Sequence, residues 1–124
     1  HIILRGGKEP NYDKASVEST SAELGRAGLA AHVMIDCSHA NSRKQPQRQI
    51  DVAADVAAQV AGSDTRILGV MLESHLNGGR QDLVPGKPLA YGVSITDGCI
   101  GWDDTVTTLQ GLAAAVRARR LRAE

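Results

Sequence analysis

Four side chains in this sequence have types that could together do chemistry on a small anionic substrate: Arg5, His39, Glu73 and Asp97. One imidazole and two carboxylates make a nitrogen and oxygen donor set suited to a divalent ion such as Mn, Fe, Co or Zn. Such an ion would leave room for a further ligand and act as a Lewis acid on a carbonyl oxygen. Arg5 opens an Arg5-Gly6-Gly7 turn, where a planar guanidinium fork and two glycine N–H groups could hold a phosphate. Lys8 and Lys44 are further candidates for the same anion. Each residue also has a plainer role. His39 can bond loop backbone, Glu73 can pair with a basic neighbour, Asp97 can cap a turn, and Arg5 can pair with a carboxylate. What favours chemistry is placement: every short apolar run ends in a charged or coordinating residue, Arg5 after the first, Asp36 and His39 after the second, Glu73 and His75 after the third.

Those runs are the elements that must position the set. Ile2 to Leu4, Val33 to Ile35 and Ile67 to Leu72 read as buried strands. Asp13 is placed to cap a helix that carries Val17, Leu24 and Ala27 and stops at Gly28. Pro46 suits the first turn of a second helix running to Ala61, with Ile50, Ala53, Ala57 and Val60 at helical spacing, Val52 and Val56 widening the face, and Gly62 closing it. Residues 73–101 show no periodicity and contain Gly78-Gly79, Pro85-Gly86 and Pro88, a connection long enough to be functional. Asp103 or Asp104 is expected to cap a last helix carrying Val106, Leu109, Leu112, Ala113 and Val116, with Arg117, Arg119, Arg120 and Arg122 forming its solvated basic end.

Strand, helix, strand, helix, strand, long loop, helix is a succession of right-handed β/α units on a parallel sheet, so the expected class is α/β. The 124 residues, one domain, fall short of the roughly 250 of a closed (β/α)8 barrel. The chain is therefore part of a barrel or a small open sheet. In a barrel the strand ends converge on one mouth, which would gather His39, Glu73 and Asp97 whatever their separation in sequence.

Composition narrows the class further. Lys plus Arg number 14 against 14 Asp plus Glu, so there is no basic nucleic-acid footprint. Phe is absent, and a Val, Ile, Leu and Ala core suits parallel α/β layers. No apolar stretch approaches the ~20 residues of a membrane span, and the expected location is cytoplasmic. Cys37 and Cys99 are too few for a disulfide framework and are expected to be buried thiols. His32 and His75 are expected to be structural, His75 with a possible supporting role beside the donor set. The opening His1-Ile2-Ile3-Leu4 starts inside an apolar run, as though mid-domain.

Ile3-Leu4-Arg5-Gly6-Gly7-Lys8-x-Pro10-Asn11-Tyr12, Ile35-Asp36-x-Ser38-His39-Ala40-Asn41, Glu73-Ser74-His75-Leu76, Leu89-Ala90-Tyr91-Gly92, Ser94-Ile95-Thr96-Asp97 and Ile100-Gly101-Trp102 closely resemble the microbial class I DAHP synthases. The resemblance covers essentially the whole chain. It implies a (β/α)8 transferase that condenses phosphoenolpyruvate with erythrose 4-phosphate, giving 3-deoxy-arabino-heptulosonate 7-phosphate and phosphate at the entry to the shikimate pathway and aromatic amino acid biosynthesis. By the same resemblance Arg5 binds phosphoenolpyruvate, and His39, Glu73 and Asp97 are three of the four ligands of a divalent metal. Only the C-terminal three-eighths of that barrel, about strands six to eight, corresponds to this chain. The family's metal-ligating cysteine, most of its phosphate-binding residues and its feedback segments lie outside it, and neither Cys37 nor Cys99 replaces that ligand. The isolated chain is accordingly expected to be inactive and to need self-association or a complementary N-terminal barrel portion. The alternatives are a non-catalytic oligomerising fragment with a partial metal and phosphate site, or the related enzyme that makes 3-deoxy-octulosonate 8-phosphate.

Overall fold

A computed structural model describes residues 1–123 as a three-stranded parallel sheet in the order β1-β2-β3, with β1 Ile2–Leu4, β2 Val33–Asp36 and β3 Ile67–Met71. Three helices, α1 Lys14–Arg26, α2 Arg48–Ala61 and α3 Trp102–Arg122, complete the α/β architecture. Among the described residues no helix is long and apolar enough to cross a membrane.

One face of the sheet builds the core. Side chains alternate along a strand, so Val33, Ile35 and Cys37 all point to the face covered by helices and are fully buried. They pack with Leu4, Ile67, Val17 and Leu24 of α1, and Val52, Ala53, Val56 and Val60 of α2. A register irregularity between Val33 and Met34 gives β3 one extra residue: Val33 pairs with Ile67, but Met34 pairs with Gly69 and Asp36 with Met71. The opposite face therefore carries Ile3, Met34, Gly69 and Met71, of which Ile3 and Met71 are exposed, with Asp36 at its end.

The helix ends follow their local chemistry. The Asp13 carboxylate accepts from the Ser16 amide and hydroxyl, and the Ser16 hydroxyl bond holds the Asp13 carboxyl below its usual range. Gly28 adopts φ +71 just past α1, the left-handed stop that a glycine permits. Two expected caps are corrected. α2 begins at Arg48, and Pro46 lies in a preceding turn, where it accepts from the Gln49 amide through its carbonyl and packs its ring against Gly98. α3 is capped by Gly101, which leaves Asp103 and Asp104 in the first turn, favourably placed for the helix dipole.

The buried face of α3 is also rotated from expectation. Thr105, Thr108 and Ala115 are buried, with Leu112 and Val116 against the core, while Leu109 is 48% exposed. A threonine on the buried face is tolerated where its hydroxyl finds backbone, and Thr105 Oγ1 bonds the Gly101 carbonyl at 2.8 Å. Both cysteines are free and buried, and burial, with the neighbouring Asp36 charge, pushes the Cys37 thiol up to about 12.

The turn after β1 is tight. At Gly6 φ is +80, and an added Cβ would come within 2.8 Å of both Ala40 Cβ and the Asn41 amide nitrogen. Gly6→Ala is expected to destabilise the chain by about 1–3 kcal/mol in a urea titration. Gly7→Ala is the control, because a Cβ there meets nothing within 4 Å, and its midpoint should barely move.

Candidate metal centre

The site forms where the second strand runs out. Asp36, the last residue of β2, is buried, and its Oδ2 lies 2.8 Å from His39 Nδ1. Its other oxygen accepts from the Ser38 amide and hydroxyl. An ionised carboxylate can only accept, so the network assigns the imidazole proton to Nδ1 and the free lone pair to Nε2. His39 itself stands at φ +50, a left-handed backbone for a residue with a side chain, at the head of a short 3-10 turn, His39–Ser42.

Glu73 follows β3 and is fixed by its backbone. Gln49 of α2, fully buried, donates from Nε2 to the Glu73 carbonyl at 3.1 Å and accepts the Glu73 amide on Oε1 at 2.8 Å. Together with the Ile100 amide, which also donates to the Glu73 carbonyl at 3.0 Å, this side-chain amide pairs the backbone just beyond β3. Asp97 comes from the long segment between β3 and α3, which contains no helix and is folded by isolated bridges such as Ser74 with Ile100 and Gly79 with Cys99. Next to it, Gly98 approaches Pro46 so closely that a Cβ would sit 2.6 Å from Pro46 Cγ, which places the Asp97 loop against the turn before α2.

These three positions meet. His39 Nε2 is 3.8 Å from Glu73 Oε1 and 3.9 Å from Asp97 Oδ2, and one ligand atom from each residue lies within 4.8 Å of the others. They line a cavity of about 210 Å3, with Lys44 and Arg80 on its wall. Burial, reinforced by the Asp97 charge, raises the Glu73 carboxyl above its ordinary value of 4.5. At ~4 Å two such charges repel by about 4 kcal/mol at an effective dielectric of ~20, and by less here because Asp97 is 71% exposed to screening water. His39 supplies partial relief, and a cation held among the three would supply the rest.

The other expected residues fall elsewhere. Arg5 is exposed at the end of β1 and is not part of the cavity wall, and among the described residues no carboxylate lies within salt-bridge distance of it. Its glycine turn is no amide cradle: the Gly6 amide donates to Asn11 Oδ1 at 2.7 Å and the Gly7 amide to the Glu9 carbonyl at 3.1 Å, so an anion there has only side chains to bind. Lys44 lines the cavity and Lys8 does not. His75 accepts the Leu76 amide on Nδ1 and lies outside the cavity, and His32 is exposed. Of the terminal arginines, Arg119 donates to the Asp64 carbonyl, tying the end of α3 to the loop before β3. Residue types alone did not reveal Arg80 or Gln49. The one signal for Gln49 was an amide at helical spacing with Val52, Ala53, Val56 and Val60.

Comparison with known proteins places this geometry in a lineage. The chain is 61% identical over 120 residues to the Phe-sensitive phospho-2-dehydro-3-deoxyheptonate aldolase of Escherichia coli, covering 97% of this chain and 34% of that protein. It is 56% identical over 121 residues to phospho-2-dehydro-3-deoxyheptonate aldolase of Haemophilus influenzae, covering 97% of this chain and 33% of that protein. The solved phospho-2-dehydro-3-deoxyheptonate aldolase of Francisella tularensis superposes with a TM-score of 0.91 at 47% identity, over 96% of this chain and 35% of that one. The chain thus spans about a third of the length of the curated relatives it matches. Residues 1–110 match the DAHP synthetase I family, and with that extent of match the chain belongs to it.

Proposed function

We propose that residues 1–124 form the metal-bearing part, about strands six to eight, of a (β/α)8 DAHP synthase, a transferase that joins phosphoenolpyruvate to erythrose 4-phosphate with release of phosphate. The observation that carries this reading is the meeting of His39 Nε2, Glu73 and Asp97 at the ends of successive β/α units in a member of this family. The donor set fits a divalent ion of the Mn, Fe, Co or Zn kind: one imidazole nitrogen oriented by Asp36, and two carboxylates left without a full counter-charge. When bound, such an ion supplies a Lewis acid for the aldehyde oxygen.

The chain's own residues do the rest of the positioning. Asp36 holds the His39 ring so that Nε2 faces the carboxylates, and Gln49 fixes the Glu73 backbone. Arg5, free of a carboxylate partner, anchors an anionic group of phosphoenolpyruvate through its guanidinium, without help from the Gly6 and Gly7 amides. Turnover requires the remaining barrel walls, because the inner face of this sheet is open and phosphate-binding groups beyond Arg5 are few. On this reading the 124-residue chain binds metal but releases no phosphate from phosphoenolpyruvate. A chimera in which it replaces the matching third of the Escherichia coli relative does so when metal is supplied. Turnover by the chain alone, or a folded but inactive chimera, would overturn the reading.

Two further outcomes follow from the site. Asp36→Asn removes the charge that orients His39 and should weaken manganese binding by roughly 10- to 100-fold, read by titration with calorimetric detection. Glu73 is coupled to stability through its raised carboxyl. The metal-free fold binds this proton more tightly than the unfolded chain, so its contribution is full below the ordinary value of 4.5 and is lost as pH rises through the raised value. Glu73→Gln, which mimics the protonated group, should therefore make the metal-free chain more resistant to urea near neutral pH while abolishing metal binding. Its advantage should vanish in acid. A wild-type chain that is the more stable of the two at neutral pH without metal would contradict the electrostatic account.

A further inference from the structure

Of the three donors, Asp97 is the farthest in sequence from a strand. It is carried on a turn whose two feet, Ser94 and Cys99, both fasten to Gly79-Arg80-Gln81. The Cys99 foot is a backbone pair: the Cys99 amide donates to the Gly79 carbonyl at 3.1 Å, and the Gly79 amide to the Cys99 carbonyl at 2.9 Å. The Ser94 foot depends on a side chain. The backbone amide of Gln81 donates to the Ser94 carbonyl at 2.8 Å, and the carboxamide of the same residue ties down the approach to it. Its Nε2 donates to the carbonyls of Ala90 at 2.9 Å and Val93 at 3.0 Å, while its Oε1 accepts the Ala90 amide at 2.9 Å. From Ser94 the hold passes toward Asp97. The Ser94 hydroxyl accepts the Thr96 amide at 3.1 Å, and the Thr96 carbonyl accepts Arg80 Nε at 3.0 Å.

Residues 82–89, the arm between Gln81 and Ala90, give the turn no such support. All of them are exposed, and among the described residues their hydrogen bonds are an Asp82 pair with Arg80 and one bond inside the arm, from the Lys87 amide to the Val84 carbonyl. We propose that Gln81 is a positioning residue for Asp97: its carboxamide closes the loop at its neck and fixes the Ser94 foot, and so sets the approach of Asp97 to His39 and Glu73. This rests on the metal reading of those three residues and extends it to a side chain outside the cavity wall. The task selects a carboxamide. Two carbonyls and one amide converge on it, which calls for two donors and an acceptor on one neutral group. A carboxylate would set its charge against both carbonyls, and an ammonium has nothing to accept the Ala90 amide.

The test compares wild type, Gln81→Met and Pro85→Gly in the 124-residue chain, by calorimetric titration of manganese and by amide hydrogen exchange without metal. Gln81→Met keeps the bulk and loses the bonds. It should weaken manganese binding roughly tenfold and speed exchange of the Thr96 amide several-fold, while the Cys99 amide, held by Gly79, exchanges as in wild type. Pro85→Gly loosens the arm and should change neither readout, because the neck isolates the arm from Asp97. In an Asp97→Asn background Gln81→Met should cost no further manganese affinity, since its effect is carried through Asp97. An equal loss in both backgrounds would mean a general loosening and overturns the assignment. So does wild-type affinity with wild-type Thr96 exchange in Gln81→Met, or weakened binding in Pro85→Gly. Failure of manganese to bind the wild-type chain overturns the metal reading instead, and Thr96 exchange in the metal-free chain then decides whether Gln81 holds the turn.

Discussion

Parallel strands that stop must do something with the backbone groups the ladder no longer pairs, and in this chain two buried side-chain amides share that task with backbone amides of the following loops. Asn41 Nδ2 donates to the carbonyls of Leu4 and Asp36, the last residues of β1 and β2, while its Oδ1 accepts the Asn11 amide. Gln49 gives and receives one bond at the Glu73 backbone beyond β3. A buried amide left without those bonds would cost about 1–3 kcal/mol per group. The two clamps therefore fix where all three strands end. Both amides come from the short stretch between β2 and the first turn of α2. That stretch also holds His39, so the clamps that finish the sheet also set the height at which the donor atoms meet.

The same stretch concentrates the costs of the site. His39, Arg43 and Lys44 all have left-handed backbones, each worth about 1 kcal/mol or more for a residue other than glycine. Glu73 is held beside Asp97 with its carboxyl raised, and Asp36 is buried beneath His39. None of this helps the chain fold. It is tolerated because the core on the other face of the sheet, from Val33 and Ile35 to Val52 and Val56, is buried and apolar. Strand alternation makes the separation possible: Ile35 and Cys37 face the helices while Asp36 between them faces the donors.

Much of this was legible in the sequence, and the failures have identifiable causes. Short branched runs broken by glycine located all three strands, and Asp13 and Gly28 marked both ends of α1, because caps and left-handed stops depend on one residue's own chemistry. Pro46 misled because its usual place is the first helical position, whereas here its ring is needed against Gly98 in the turn before α2. Leu109 misled because apolarity was taken to define the buried face of α3, while Thr105 and Thr108 occupy it and Thr105 satisfies its own hydroxyl locally. The Arg5-Gly6-Gly7 turn looked like an amide cradle because a sequence does not show that Asn11 and Glu9 already take both N–H groups. The donor set was legible from residue types, His39 and Glu73 after strands and Asp97 in the long loop, and from the family resemblance, but not as a geometry. That Asp97 reaches the other two depends on a loop of some 24 residues after Glu73, whose path is set by long-range bridges.

The way the donors are held shows how much of the site this chain positions by itself. Each donor is fixed by a contact made within the chain: His39 by Asp36, Glu73 by Gln49, and Asp97 by the packing of Gly98 on Pro46. None of these contacts crosses the sheet face bearing Ile3, Met34 and Met71. Pre-organisation of the donors is thus a local property of three consecutive β/α units. Exclusion of water from that face is not, since Ile3 and Met71 on it are exposed.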